Sequence, residues 1–421
     1  MSKLALTRQP PAPPHLATID AGGTWHVLDV FALSRGRAWL LEQLATEATL
    51  PAEWGTFVWR TNELLAPHLA AARSGESRLG TAEQSNTSVV YGASLILKAF
   101  RKFEPGANPE LEIARFLTAE TDFRHVPMLT GELSYVPTSG EPVALGLMQT
   151  FVPNVGDGWS YTLDLLGAAP AGGDLGRLYH PFAHRLGVRT GQLHLALASV
   201  PTDPAFAPEP IDDDDTAIWI DASRAVLAQT SDALRAHADL VPAALKDDVR
   251  AFFAAQDDLA SRIGGFALLR GTSKTRVHGD LHLGQTLRTA SEDVVFLDFE
   301  GEPARPLAER RAKSSPLKDV AGMLRSFAYV RGVAARADHA GAGRAHDHDS
   351  LVAWERSARA AFVDGYLAET AGHGAAFLPS DRAAFDAALA AWELDKAVYE
   401  ITYELNNRPD WLAIPLEAVL R

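Results

Sequence analysis

The sequence contains no cysteine. Disulfide frameworks, thiolate zinc sites, iron–sulfur clusters and cysteine nucleophiles are therefore excluded, and any chemistry must come from Asp, Glu, His, Lys, Arg, Ser, Thr or Tyr. Basic charge is short as well: 39 Lys plus Arg stand against 53 Asp plus Glu, a formal net charge of −14. This surplus of carboxylates argues against nucleic acid and against an anionic membrane surface as partners. No apolar run approaches the roughly 18 residues of a spanning helix, and the N-terminal MSKLALTRQPPAPPHLATID has no continuous apolar stretch of the secretory kind. The expectation is a cytoplasmic protein, monomer or homodimer, with a small-molecule partner. What is present is ordinary globular composition, 47% hydrophobic and 22% charged over 421 residues, enough for two or three structural units at about 150 residues each.

After a stiff QPPAPP lead, ATID and TWHVLDV flank an Ala-Gly-Gly turn and predict a β-hairpin. Its Asp20-Ala21-Gly22-Gly23-Thr24 also matches the D-x-G-G-T phosphate motif of hexokinase-like sugar kinases. Neither a second such hairpin nor the glycine-rich companions of that fold are found, so a simple turn is expected. Helical spacing over Arg35–Leu50 and the strand-like GTFVWRT at Gly55–Thr61 complete a small α+β cap, residues 1–80. SVVYG, SLILKAF, the helical NPELEIARFLTAE (Asn108–Glu120) and the strand EPVALGLMQTFV define a β-rich unit over 81–152. Long Ala- and Leu-rich helical stretches fill 153–421. Within them RADHAGAGRAHDHDS, Arg336–Ser350, gathers His and Asp. Its glycines and alanines give no scaffold to fix ligand geometry, and it is expected to be a solvated loop.

The most informative stretch is RVHGDLHLGQTLRTASEDVVFLDFEGEP, Arg276–Pro303. Asp280 follows His278-Gly279, Gln285 comes five residues later, and the apolar VVFL ends at Asp298. A positioned carboxylate at Asp280 can accept the proton of an attacking hydroxyl. The amide oxygen of Gln285 and the carboxylate of Asp298 are the hard ligands that Mg²⁺ needs against nucleotide phosphates. Singly, HGD reads as a turn and DFE as a strand end; jointly they predict phosphoryl transfer from ATP. His278 and His282 suit loop support better than magnesium ligation.

The pattern H-G-D-x-H-x-x-Q followed by an apolar run and DFEGEP resembles the bacterial maltokinases, relatives of the aminoglycoside phosphotransferases within the protein-kinase-like fold. PLAERRAKSSPLKDVAGMLRSFAYV (Pro306–Val330) and ELDKAVYEITYELNNRPDWLAIPL (Glu393–Leu416) are similar to maltokinase segments too. The opening segment of the kind QRWFAGK is absent, and VLDVFALSRGRAWLLEQL in its place resembles an actinobacterial subgroup that includes a glucosamine kinase. The resemblance implies an α+β fold, bilobal and protein-kinase-like, with the N-terminal cap, a small β-rich nucleotide lobe and a larger helical lobe. It implies that Lys98 on SLILKAF binds the α and β phosphates, oriented by an acidic residue of the next helix; Glu112 is expected in that role, with Glu110 on another face. EQSNTSVVYG, with Ser85 as its nucleotide contact, takes the place of the phosphate-covering loop, and backbone groups at Thr150 and Val152 meet the adenine. Glu300, two residues past Asp298, falls on the same side of a continuing strand and is a further metal ligand. Asp319 is expected to cap its helix and brace the catalytic loop.

For the acceptor, Lys396, Glu400, Tyr403, Glu404, Asn407 and Trp411 fall at steps of three or four, so they share one helical face up to Arg408-Pro409. Carboxylates and amides suit sugar hydroxyls, and an aromatic ring suits the apolar face of a pyranose. The glutamates favour a cationic acceptor. The expected reaction is phosphorylation of glucosamine at its 6-hydroxyl, with Glu404 facing the ammonium; maltose at its anomeric hydroxyl, or an aminoglycoside, are the alternatives.

Overall fold

The computed structural model describes residues 4–6, 17–20, 24–26, 31, 33–52, 54–80, 86–170, 172–302, 304–339 and 346–420. The chain forms two units, Met1–Asn154 with Val295–Arg310, and Val155–Val294 with Arg311–Arg421.

The first unit is built on strands β1 (Leu4–Leu6), β2 (Ala17–Asp20), β3 (Thr24–His26), β4 (Thr49–Ala52), β5 (Gly55–Thr61), β6 (Ser77–Leu79), β7 (Asn86–Tyr91), β8 (Leu95–Phe100), β9 (Leu129–Pro137) and β10 (Val143–Thr150). They form one sheet in the order β3-β2-β1-β4-β5-β9-β10-β8-β7-β6. All pairs are antiparallel except β1 with β4. The expected hairpin is the β2–β3 pair, Asp20 opposite Thr24; the turn at 21–23 lies outside the described residues. The strands of residues 1–80 are thus part of the same sheet as those of 81–152. Among the described residues, α1 (Ser34–Ala45), α2 (Ala66–Ser74) and α3 (Pro109–Ala119) accompany it, with the one-turn helix Leu307–Arg311 at the end of the returning segment.

Alternation along β8 decides what lies on each face. Leu95, Leu97 and Ala99 pack with Leu40, Leu41 and Leu44 of α1 and with Phe57 and Trp59 of β5. Phe100 packs on the other face with Leu111 and Ala114 of α3 and Leu147 of β10. Lys98 shares the parity of Phe100 and therefore points toward α3. Asn108 starts α3 by accepting from Leu111 N at 3.1 Å, with Pro109 in the first turn. No periodicity marked β9; its Gly131 lets β5 close in, since a Cβ there would lie 2.9 Å from the Arg60 carbonyl oxygen.

The second unit is helical: α4 (Gly158–Ala168), α5 (Leu175–Leu197), α6 (Asp213–Ala236), α7 (Lys246–Ala254), α8 (Gln256–Ile263), α9 (Leu317–His339), α10 (His348–Gly372), α11 (Arg382–Asn407) and α12 (Ala413–Leu420). α5 and α10 approach closely where Gly187 meets the Phe362 carbonyl and Gly365 meets that of His184. Tyr179, Phe327, Trp354 and Phe362 fill the core beside this crossing. Among the described residues no helix is long and apolar enough to cross a membrane.

Candidate active site

In the first unit Lys98 is 7% exposed. Its Nζ donates to Glu110 Oε2 at 2.7 Å and to Asp298 Oδ1 at 2.5 Å, and Glu300 Oε1 stands at 3.0 Å. Asn86 Nδ2 donates to the same Glu300 oxygen at 2.6 Å. Burial alone would drive the proton off this ammonium. The charges of Glu110, Asp298 and Glu300 outweigh it and hold the lysine well above its usual range. Burial pushes Glu110 up, Lys98 pulls it down, and the charges of Asp298 and Glu300 add to the rise. Three carboxylates whose ligand atoms lie within 4.8 Å of one another thus surround a single ammonium. A hard-oxygen set with that excess of negative charge fits a divalent ion of the Mg²⁺ type. Among the described residues it is also the one cluster of three such ligating side chains.

The acidic partner of Lys98 is Glu110, not the expected Glu112. Residues two apart on a helix point about 200° apart, and the buried face of α3 runs through Glu110, Ile113, Ala114 and Leu117, which sets Glu112 away from the lysine. Glu300 also arrives differently from its expected strand parity. The strand Val294–Phe296 ends before Asp298, whose φ of 66° is left-handed, an uncommon conformation for a residue with a Cβ. The turn, completed at Gly301 with φ 71°, brings both carboxylates to Lys98. Ser85 lies outside the described residues; Asn86, which sequence reading did not single out, follows it directly. At the end of β10, Thr150 N donates to the Met128 carbonyl at 2.9 Å and Thr150 Oγ1 accepts from Met128 N at 3.0 Å. The Val152 carbonyl accepts from Asn154 Nδ2 at 2.9 Å.

In the second unit the Asp280 loop is seated on the first turns of α9. Asp319 Oδ2 accepts from His278 N at 2.7 Å and Oδ1 from Gly279 N at 2.9 Å, where Gly279 takes φ 87°. One turn on, Gly322 leaves room for the Leu281 carbonyl, and Ser326 Oγ accepts from Leu283 N at 3.1 Å. Behind Asp319, His194 Nε2 lies 3.1 Å from Oδ2 and His194 Nδ1 lies 3.0 Å from Tyr366 Oη. Burial and the Asp319 charge hold the Tyr366 phenol protonated, and because the ionised Asp319 carboxylate only accepts, Nε2–H is the donor to it. Burial opposes the Asp319 charge, but His194, His278 and the Gly279 N–H override it and keep that carboxyl below its usual range. The expected bracing role of Asp319 matches this geometry. Gln285 sits in the 3₁₀ turn Leu283–Gln285, its N donating to the His282 carbonyl at 2.9 Å. His282 caps that turn through Nδ1.

Helix α11 ends at Asn407, as Pro409 dictates. Lys396 Nζ stands 3.3 Å from Asp280 Oδ1, so it meets the candidate base. Glu400 is bound by buried Arg325, through Nε at 2.9 Å and Nη2 at 2.6 Å. Glu404 is fully buried; it accepts from Tyr329 Oη at 2.9 Å and from Arg408 Nε and Nη2 at 2.9 and 2.7 Å. The Arg408 guanidinium in turn lies 4.2 Å from the centre of the Trp411 ring, a cation–π contact. Tyr403 is 45% exposed, and Asn407 Nδ2 donates to the Tyr403 carbonyl at 2.8 Å. In the His- and Asp-rich segment, 340–345 lie outside the described residues, and His346 is buried with Nε2 on the Leu166 carbonyl at 2.8 Å.

A sheet unit carrying a Lys–Glu pair and a helical unit carrying a braced HGD loop define the protein-kinase-like fold. No family model matches the chain. Two curated proteins resemble it over most of its length. A glucosamine kinase of Mycolicibacterium smegmatis is 28% identical over 338 residues, 80% of this chain and 76% of that protein. A glucosamine kinase of Streptacidiphilus jiangxiensis is 29% identical over 352 residues, 82% of this chain and 73% of that protein. The fold matches a solved glucosamine kinase in complex with glucosamine, ADP and inorganic phosphate, with TM-score 0.73 and 24% identity over 96% of this chain and 86% of the other. The chain is thus similar in sequence to two curated glucosamine kinases and shares its fold with a solved one.

Proposed function

We propose that the protein transfers the γ-phosphoryl group of ATP to the 6-hydroxyl of glucosamine. The observation that carries this reading is the buried Lys98–Glu110 ion pair with the Asp298 carboxylate beside it; phosphoryl transfer by kinase-like folds needs such a lysine–glutamate pair and an aspartate placed for the metal. The acceptor is supported by the two curated relatives and the ligands of the solved neighbour. Lys98, with Glu110 fixing its orientation, engages the α and β phosphates. In the sheet unit Asp298 and Glu300 are oxygen ligands that would hold Mg²⁺, which screens phosphate charge when bound, and in the helical unit Gln285 offers an amide oxygen of the same hard type. Asp280 accepts the proton of the acceptor hydroxyl, and Asp319 holds the loop that presents it. Ser85 and the backbone at Thr150 and Val152 contact the nucleotide. Along the C-terminal half of α11 and just past it, Lys396, Glu400, Tyr403, Asn407 and Trp411 serve the sugar. Glu404 carries the charge preference: the acceptor ammonium displaces the Arg408 guanidinium, whose side chain is 44% exposed, and its bonds to Glu404 and its contact with Trp411 are given up in the exchange.

Phosphorus NMR of a reaction with ATP, Mg²⁺ and glucosamine tests the reading. A phosphomonoester on carbon six, equimolar with ADP, is expected. Asp280→Asn should lower kcat by about two orders of magnitude or more while nucleotide affinity holds. ADP formed without a sugar phosphate, or normal turnover in the variant, contradicts it.

A further inference from the structure

A cavity of about 470 Å³ in the helical unit shares no lining residue with the Asp280 loop. It is lined by four arginines from three helices, Arg262 of α8, Arg325 of α9, and Arg356 and Arg359 of α10, together with Glu355 and Glu393. In a chain of net charge −14, such a convergence of arginines is unusual. The carboxylates around it are already matched. Glu393 is held by Arg359 at 2.7 and 2.8 Å, Glu400 by Arg325, and Glu355 by buried Arg331 at 2.5 Å. Arg262 donates through Nη1 to the Val419 carbonyl at 3.0 Å, and its carboxylate neighbour, Asp258, is 3.9 Å away. Arg356 is exposed and has no ion-pair or hydrogen-bond partner among the described residues. The Arg325 charge also opposes that of Arg359, so like charges stand close together here. Val352, Ala390, Leu394 and Ala418 supply an apolar wall.

We propose that this cavity binds a small phosphate monoester, its phosphate on the arginines and its carbon skeleton against the apolar wall. A phosphate dianion offers three oxygens and two charges to forked guanidinium donors from different helices. The volume lies in the range of small-ligand sites, roughly 300 to 1,000 Å³, and exceeds what inorganic phosphate fills. The site is built on the helices that also carry Asp319 and Lys396, so an occupant would act on the elements holding Asp280.

Calorimetric titration of the full-length protein with glucose 6-phosphate, a probe that is not the proposed reaction product, tests the site independently of the kinase reading. Binding is expected, weakened about tenfold or more by Arg356→Glu and unchanged by Arg250→Gln, an exposed arginine on α7. Inorganic phosphate should bind more weakly than the ester. Absent binding, or binding insensitive to Arg356→Glu, overturns the site. Inorganic phosphate or citrate binding as tightly as the ester overturns the ligand class.

Discussion

Lys98 is surrounded by more negative charge than it can neutralise, and this makes its partners separable by mutation. Removing Glu110 still leaves the ammonium compensated by Asp298 and Glu300, so the usual penalty for stranding a buried charge does not apply. Glu110→Gln should therefore change unfolding free energy by only about 1 kcal/mol. It should nonetheless lower kcat/KM about tenfold or more, because the lysine loses the contact on α3 that aims it. Glu112→Gln should leave both within about twofold. Chemical denaturation and steady-state kinetics on the two variants decide the matter; equal losses in both would refute the assignment. The correct glutamate was visible in the spacing: Glu110 lies three, four and seven residues before Ile113, Ala114 and Leu117, the apolar stripe of its helix. Asp298 was legible as a hard carboxylate at a strand end, but its left-handed φ was not, since aspartate carries no glycine-like warning of a turn.

Helix α9 is the element that braces the Asp280 loop. Asp319, Gly322 and Ser326 recur at steps of three and four, which places carboxylate, gap and hydroxyl on one face. That face was readable from the sequence; its extension through His194 and Tyr366 was not, because those side chains come from helices more than a hundred residues away in one direction and about fifty in the other. The carboxyl of Asp319 is held below the ordinary value of about 3.9. A lowered folded pKa adds stability above that value, and the gain disappears as pH falls through the folded pKa. Asp319→Asn should cost roughly 1.5 to 3 kcal/mol between pH 5 and 8, the scale of hydrogen bonds to a charged group. The gap between wild type and variant should shrink below about pH 4. Urea unfolding across that range measures it, and a gap that widens toward acid would contradict the role. The same logic of spacing succeeded for α3 and for β5, β7 and β8, while β9 escaped because its glycine and serine interrupt the alternation.

At the scale of the molecule, one contiguous motif serves both units: Asp280 belongs to the helical unit, and Asp298 and Glu300 to the sheet unit. Its chemistry was legible because hard oxygen ligands and a base must recur together for phosphoryl transfer. The return of Val295–Arg310 to the sheet unit was not, since no composition change marks it. Burial of Glu400 and Glu404 on α11 likewise depends on Arg325, Tyr329 and Arg408, partners that only the fold brings to them. Each of those two glutamates is paired with an arginine, Glu400 with Arg325 and Glu404 with Arg408, and the central proposal is that the ammonium of an amino sugar takes the place of Arg408 on Glu404. Its most direct test is kcat/KM with ATP and Mg²⁺ for glucosamine, glucose, N-acetylglucosamine and maltose. Glucosamine should lead glucose by about ten- to a hundredfold, the worth of a partly desolvated ammonium–carboxylate contact, with N-acetylglucosamine lower still and Glu404→Gln narrowing the gap. Maltose as the best acceptor, or glucose equal to glucosamine, would contradict the account.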